Sequence, residues 1–143
     1  MRKYAVLLLR LILGAVFVYA AYTKLRDPWL LFAMSIDSYK LLPEWAVLAL
    51  ARTLPWFELL LGAVLISGLA LRYASAAAAT ILTVFFTAML IGYARGLAID
   101  CGCFGPGEAL GPKTLLRDGT LVSLAILLAI LSMRRAPKIT LSA

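Results

Sequence analysis

Residues 45–93, WAVLALARTLPWFELLLGAVLISGLALRYASAAAATILTVFFTAMLIGY, hold two long apolar runs joined by a short turn around Arg72. The first, Trp45–Leu71, is interrupted by Arg52, Pro55 and Glu58, and the second is Ala74–Tyr93. A helix crossing the hydrocarbon core needs about 20 apolar residues, and both runs are long enough. So short a connection makes them an antiparallel hairpin. Working outward, Tyr4–Thr23 and Leu115–Met133 are two more such runs. The composition agrees: 64% of the 143 residues are hydrophobic and 15% charged, whereas soluble domains average about 45–50% apolar and 25% charged. The expected fold is an all-α integral membrane protein, a single four-transmembrane-helix bundle over residues 1–143. Its spans are residues 4–23, 45–71, 74–93 and 115–133, and residues 94–114 form a loop that carries both cysteines. No repeat of solenoid period is visible, and Ala76–Ala79 is the one low-complexity tract.

The opening MRKYAVLLL has the basic head and apolar stretch of a secretory signal, with Val18-Tyr19-Ala20 as a cleavage-like site. Its apolar run is longer than the roughly 7–15 residues of a signal core and contains Arg10, so it is read as a retained span. With four spans, both termini and the Arg72 turn share one side. Lys and Arg are tied between the two sides, and the positional form of the positive-inside rule favours the first helix and its flanks. Arg2, Lys3 and the Arg134-Arg135-Lys138 tail therefore place the termini in the cytoplasm and the cysteine loop outside. In a bacterium this means the inner membrane, with the loop in the periplasm, where disulfides persist. The net charge of +7 does not indicate nucleic acid, because the cations are spread over helix ends and form no basic stripe.

The two cysteines stand one residue apart in AIDCGCFGPGEALGP, residues 98–112. A disulfide needs Cα atoms roughly 4.4–6.8 Å apart, which a Cys-Gly-Cys unit meets only with a sharply bent backbone. Gly102 allows that bend. Closing so small a ring removes almost no chain entropy, so stapling is a poor use for it. Strained or exposed disulfides are the labile, exchanging ones. A metal site is not expected, since two thiolates fall short of a tetrahedral set and the chain has no histidine; completion by Asp100 or by a second subunit is the alternative. Two idle thiols are the plainest reading of all. Cations favour thiolate, and Arg95, Lys113 and Arg117 lie on this side, while Asp100 opposes ionisation of Cys101. Cys103 is therefore the expected nucleophile.

Ionisable groups inside spans are costly and usually face an interior, a partner or water. Arg10 is close enough to the start of its span to snorkel to the headgroups. Arg52 and Glu58 are six residues apart, about 240° around a helix, so each needs its own partner. Pro55 between them removes a helical hydrogen bond and marks an expected kink. Lys24, Arg52, Glu58, Arg95, Asp100, Arg117 and Asp118 are expected to converge toward the cysteine side, with Asp118 in the first turn of its helix. They form either a structural ion-pair network or a catalytic or ligand site. Pro55, Trp56 and Phe57, with Phe17, Tyr19, Tyr22, Phe85 and Phe86, are available to a flat cofactor, though aromatics in spans more often pack or anchor. Gly14, Gly62 and Gly68 suit close helix approach in lipid.

The succession LRLILGAVFVYAAYTKLRDP, YKLLP, LPWFELLLG, IDCGCFG and LLRDG resembles the DoxX-like membrane proteins. It is more closely similar to the branch that includes the methylamine utilisation protein MauE. The resemblance covers nearly the whole chain, and the cysteine loop followed by Arg-Asp at a helix start is its most specific part. It implies a four-helix membrane bundle engaged in thiol redox work. Proteins of the branch are linked to maturation of a disulfide-rich periplasmic enzyme beside a thioredoxin-like partner, and other DoxX-like proteins to quinone-linked sulfur oxidation. The matching positions are Cys101 and Cys103 with their glycines, Lys24, Glu58, Arg117 and Asp118.

The expected function is a membrane thiol-disulfide oxidoreductase whose Cys101–Cys103 loop exchanges electrons with an extracytoplasmic thioredoxin-fold partner. The chain has no second cysteine pair to relay electrons across the bilayer. A quinone between the helices near Glu58 and Pro55 would complete the circuit, or another protein would. Two other readings stand beside it: a non-catalytic membrane subunit that docks a redox partner, and a bundle binding a lipid or small molecule between Arg52 and Glu58.

Overall fold

The computed structural model describes residues 2–96 and 110–134. They form five helices: α1 (Arg2–Arg26), α2 (Trp29–Ser38), α3 (Glu44–Ser67), α4 (Leu71–Ala94) and α5 (Pro112–Arg134). Four of these are long and apolar enough to cross a membrane, and no strand occurs among the described residues. The protein is an integral membrane helical bundle. Prolines mark three helix starts: Pro28 and Pro43 precede α2 and α3, and Pro112 opens α5. A first-turn proline loses no helical hydrogen bond and brings a helical φ. Exposed aromatics collect at the ends of the spans, with Tyr4 and Tyr73 at one end and Trp29, Trp45 and Tyr93 at the other. That is the distribution of interfacial anchors.

Two boundaries differ from the sequence reading. The α3–α4 turn lies at Gly68–Ala70, and Arg72 is already within α4. Gly68 ends α3 in the left-handed region, at φ 79°, with its N–H bonded to the Val64 carbonyl, a conformation that glycine adopts without penalty. The apolar residues Leu69 to Leu71 hide this turn in a hydropathy pattern. The second difference is α2, a ten-residue helix between the first two spans, where the sequence reading has no element. At 1.5 Å per residue it spans only about 15 Å, too short to cross. Its Phe32 and Ala33 pack on Val47, Ala51 and Leu54 of α3.

Helix register explains why α2 has that place. α1 and α3 are antiparallel, with the Arg10 side chain beside Gly68 and Gly14 against Gly62, and Lys24 beside Glu58. Glu58 lies about 21 Å along α3 from Glu44, at 1.5 Å per residue, so α1 ends near the middle of α3. The half of α3 nearer Glu44 is left to α2. α4 and α5 form the other antiparallel pair, and α1 packs against α5 as well. A core of Leu13, Phe17, Leu61, Leu65, Ala78 and Leu128 fills the half of the bundle nearer the α3–α4 turn.

The α4–α5 pair is pinned by the buried hydroxyls of Ser75 and Ser132, 2.8 Å apart. Hydrogen bonds between membrane helices average about 0.6 kcal/mol and reach about 1.7. Ser132→Ala is therefore expected to lower stability by about 0.6–1.7 kcal/mol, read as a shift of the unfolding midpoint in detergent.

Candidate functional site

α1, α3 and α5 each bring a charged side chain into the bundle. From the last turn of α1, the Lys24 ammonium donates to both oxygens of Glu58, at 2.8 Å to Oε2 and 3.1 Å to Oε1. The ammonium also lies 5.2 Å from the centroid of the Phe32 ring, so α2 covers the pair. Lys24 and Glu58 are each only 4% exposed. Such a pair is held by mutual attraction against a large desolvation cost, and its members rarely sit inside a membrane without a task or a partner.

Asp118, 5% exposed, arrives from α5. Because α5 starts at Pro112, not at Leu115, Asp118 stands in the second turn rather than the first. Its Oδ2 accepts from Arg117 at 3.1 Å. The start of α5 is fixed by Thr114, whose Oγ1 accepts from the Gly111 N–H at 2.9 Å and donates to the Gly111 carbonyl at 2.7 Å. Lys24, Glu58 and Asp118 line one cavity of about 30 Å³, closed on the α4 side by Ile81, Leu82, Phe85, Phe86 and Met89. A cavity needs at least roughly 10–15 Å³ to hold a water, given two to four polar partners, so this one can be hydrated.

The remaining expected residues go elsewhere. The Arg52 guanidinium stacks over Trp29, 4.4 Å from the ring centroid, on the far side of α3, where a second hollow of about 330 Å³ is lined by Lys24, Asp27, Trp29, Arg52, Pro55 and Trp56. Glu58 and Arg52 thus find separate partners, as their angular separation requires. α3 continues through Pro55, which is buried. Trp56, 63% exposed, and Phe57 face outward. Arg95 follows α4 and donates to the Tyr39 carbonyl at 3.4 Å, tying the end of α4 to the end of α2. Asp100, Cys101 and Cys103 lie outside the described residues. Of the aromatics, Phe17, Phe85 and Phe86 reach the Lys24–Glu58 cavity, while Tyr19 and Tyr22 are exposed. Arg10 is packed at the end of α3.

A third space has no counterpart in the sequence reading. α3 and α4 are consecutive yet part from each other beyond their turn, leaving a cleft of about 390 Å³ whose walls include Phe32, Tyr39, Leu54, Val84, Phe85 and Ala88. α2 forms one side of it. The apolar string WLLFAMSI between Pro28 and Lys40 was the available signal.

The model of the family described as methylamine utilisation protein MauE matches residues 2–131, from the first turn of α1 almost to the end of α5. The chain belongs to the MauE family. A methylamine utilization protein MauE of Paracoccus denitrificans is 36% identical over 124 residues, which are 85% of this chain and 66% of the relative. One from Methylorubrum extorquens is 35% identical over 89 residues, 62% of this chain and 47% of that relative. The chain thus spans about half to two thirds of the length of these MauE relatives. No solved structure matches it. The MauE match takes in Lys24, Glu58, Cys101, Cys103 and Asp118.

Proposed function

We propose that this MauE-family protein is a membrane thiol-disulfide oxidoreductase working through Cys101 and Cys103. One observation carries the reading: the Cys-Gly-Cys segment joins α4 to α5 just before the helix that brings Asp118 to the buried Lys24–Glu58 pair. In the sequence the two thiols thus come shortly before the helix whose second turn carries a buried carboxylate on the same cavity as that ion pair. In the exchange, one thiolate attacks a sulfur of the partner's disulfide to form a mixed disulfide, and the second thiol resolves it. The products are the Cys101–Cys103 disulfide and the reduced partner, and the reverse sequence oxidises the partner. The two electrons taken up or released pass between this pair and a carrier outside the chain, a quinone or another protein, because the chain holds no second cysteine pair.

The partner in this proposal is an extracytoplasmic thioredoxin-fold protein. The termini are cytoplasmic, the bundle lies in the inner membrane, and the cysteine segment faces outward. Kinship with DoxX-like redox proteins belongs to the same proposal. The relatives are named for methylamine utilisation, and the function proposed for this chain is the thiol step rather than a role confined to that amine.

The test is a redox titration of the purified protein in glutathione buffers, with free thiols alkylated and counted by mass spectrometry. A reversible two-electron transition between dithiol and intramolecular disulfide is expected, and Cys101→Ser or Cys103→Ser abolishes it. Thiols that never pair within the chain would overturn the reading and favour a docking subunit.

A further inference from the structure

We propose that the hollow at the corner between α1 and α2 binds the zwitterionic headgroup of a phosphatidylethanolamine, its phosphate on Arg52 and its ammonium on Asp27. The hollow, about 330 Å³ in volume, is in the range of small-molecule pockets, which run from about 300 Å³. It holds charges of both signs that nothing else engages. The Lys24 ammonium is taken by Glu58. Arg52 and Asp27, by contrast, form no ion pair with each other or with any other group among the described residues. The N-terminus of α2 takes no side-chain cap, so the Asp27 carboxylate is not spent there either. The Arg52 guanidinium rests its flat face on Trp29, 4.4 Å from the ring centroid, which leaves the N–H groups in its plane for a phosphate.

Helix register puts this hollow at headgroup depth. Arg10 lies beside Gly68, and Gly62 lies between Gly14 and Val18; the same antiparallel register, carried to the end of α1, sets Arg26 level with Arg52. The last turn of α1 carries Lys24 and Arg26. The polar end of one span, Arg52 and the exposed Trp29 thus share one level, as basic and aromatic residues do at a membrane surface. Trp56 and Leu60, 63% and 62% exposed, follow on one face of α3, each a turn deeper into the span. They offer an apolar track for an acyl chain leading down from the hollow.

The two signs of charge select the occupant. Phosphatidylglycerol satisfies Arg52 but leaves the Asp27 carboxylate without a cation. The choline group of phosphatidylcholine has no N–H to donate to that carboxylate. A primary ammonium donates to it, while the phosphodiester accepts from the guanidinium. This hollow is not the Arg52–Glu58 pocket that the sequence suggested, since Glu58 is turned to the Lys24 cavity and takes no part in it. The binding does not rest on the thiol reading. Its consequence is structural: the headgroup ties the α1–α2 corner to α3, at the start of the helix whose Phe32 covers the Lys24–Glu58 pair.

The experiment is native mass spectrometry of the full chain released from nanodiscs made of equal parts dioleoyl phosphatidylethanolamine, phosphatidylglycerol and phosphatidylcholine. One phosphatidylethanolamine per chain is expected to stay bound, favoured about tenfold over either competitor, the worth of one hydrogen bond to a charged group. Arg52→Gln should lower retention of that lipid about tenfold for the same reason. Asp27→Asn should keep the phosphate contact and lose the preference, so that phosphatidylethanolamine and phosphatidylglycerol are retained equally. A misfolded hollow would retain neither, which separates a change of selectivity from a loss of structure. Equal retention of the three lipids by the wild type, or retention unchanged in Arg52→Gln, would overturn the proposal. Delipidated protein in detergent is also incubated with glycerophosphoethanolamine, the headgroup without its chains, before lipid is added back. If that soluble zwitterion blocks lipid retention at micromolar concentration, the lipid assignment falls; if lipid is retained regardless, the assignment stands.

Discussion

Lys24→Met is expected to cost about 3–5 kcal/mol of stability, because it strands the Glu58 carboxylate in the interior without its counter-charge. The wild-type ammonium contacts both carboxylate oxygens, and the carboxylate left behind is only 4% exposed. Glu58→Leu alone should cost a similar amount by leaving the ammonium stranded. The double variant Lys24→Met/Glu58→Leu is expected to recover most of the loss, since replacing a buried ion pair by apolar groups of similar volume is often neutral or stabilising by about 1–4 kcal/mol. Denaturant midpoints in detergent measure all three. The double variant also separates the two roles open to the pair. If it folds and still carries Cys101–Cys103 exchange at the wild-type rate, the pair only holds helices together. Loss of exchange in a stable double variant would give it a part in the chemistry.

The second large effect concerns the α1–α3 crossing. A Cβ at Gly62 would stand 2.9 Å from the Gly14 carbonyl oxygen and 3.0 Å from the Val18 nitrogen, and one at Gly14 would stand 3.0 Å from the Gly62 carbonyl. These neighbours are backbone, so relief requires the helices to separate. Gly62→Ala is expected to cost about 1–3 kcal/mol through overpacking, and Gly62→Leu to prevent assembly of the bundle, seen as loss of the monodisperse peak in detergent chromatography. Gly119→Ala is the control. There the nearest atom to the added Cβ is the edge of the Phe86 ring at 3.4 Å, an ordinary contact, and alanine's better helix propensity, worth up to about 1 kcal/mol, should leave that variant as stable as wild type or more so.

The four spans were legible because a membrane helix must satisfy its backbone within itself, and a run of apolar residues leaves few other solutions. The need of Glu58 for a partner on another element followed from helix geometry, and Lys24 is that partner. Which residue fills such a role depends on register, which hydropathy does not encode; the close-packed Gly14 and Gly62 set it here. The same ignorance of register put Arg52 and Arg95 in one polar set with Glu58, whereas they hold opposite ends of α2, through Trp29 and the Tyr39 carbonyl. α2 itself was missed because a ten-residue apolar helix is below spanning length and carries polar flanks. The cleft could not be read at all, since it is a gap between helices adjacent in sequence, and adjacency ordinarily predicts contact.

The length of chain between the two members of the ion pair bears on how the protein is made. Lys24 and Glu58 are 34 residues apart, so on a nascent chain the first span is synthesised with its ammonium uncompensated until the second has emerged. That second span carries both the neutralising carboxylate and the glycine face that fits the first. α1 and α3, with α2 held against them, therefore compensate this buried charge before α4 and α5 have joined them. A ribosome-arrested chain extended far enough for Gly68 to have left the ribosome is accordingly expected to show Lys24 already protected from amine-reactive reagents, and the Glu58→Gln form of the same chain to lose that protection.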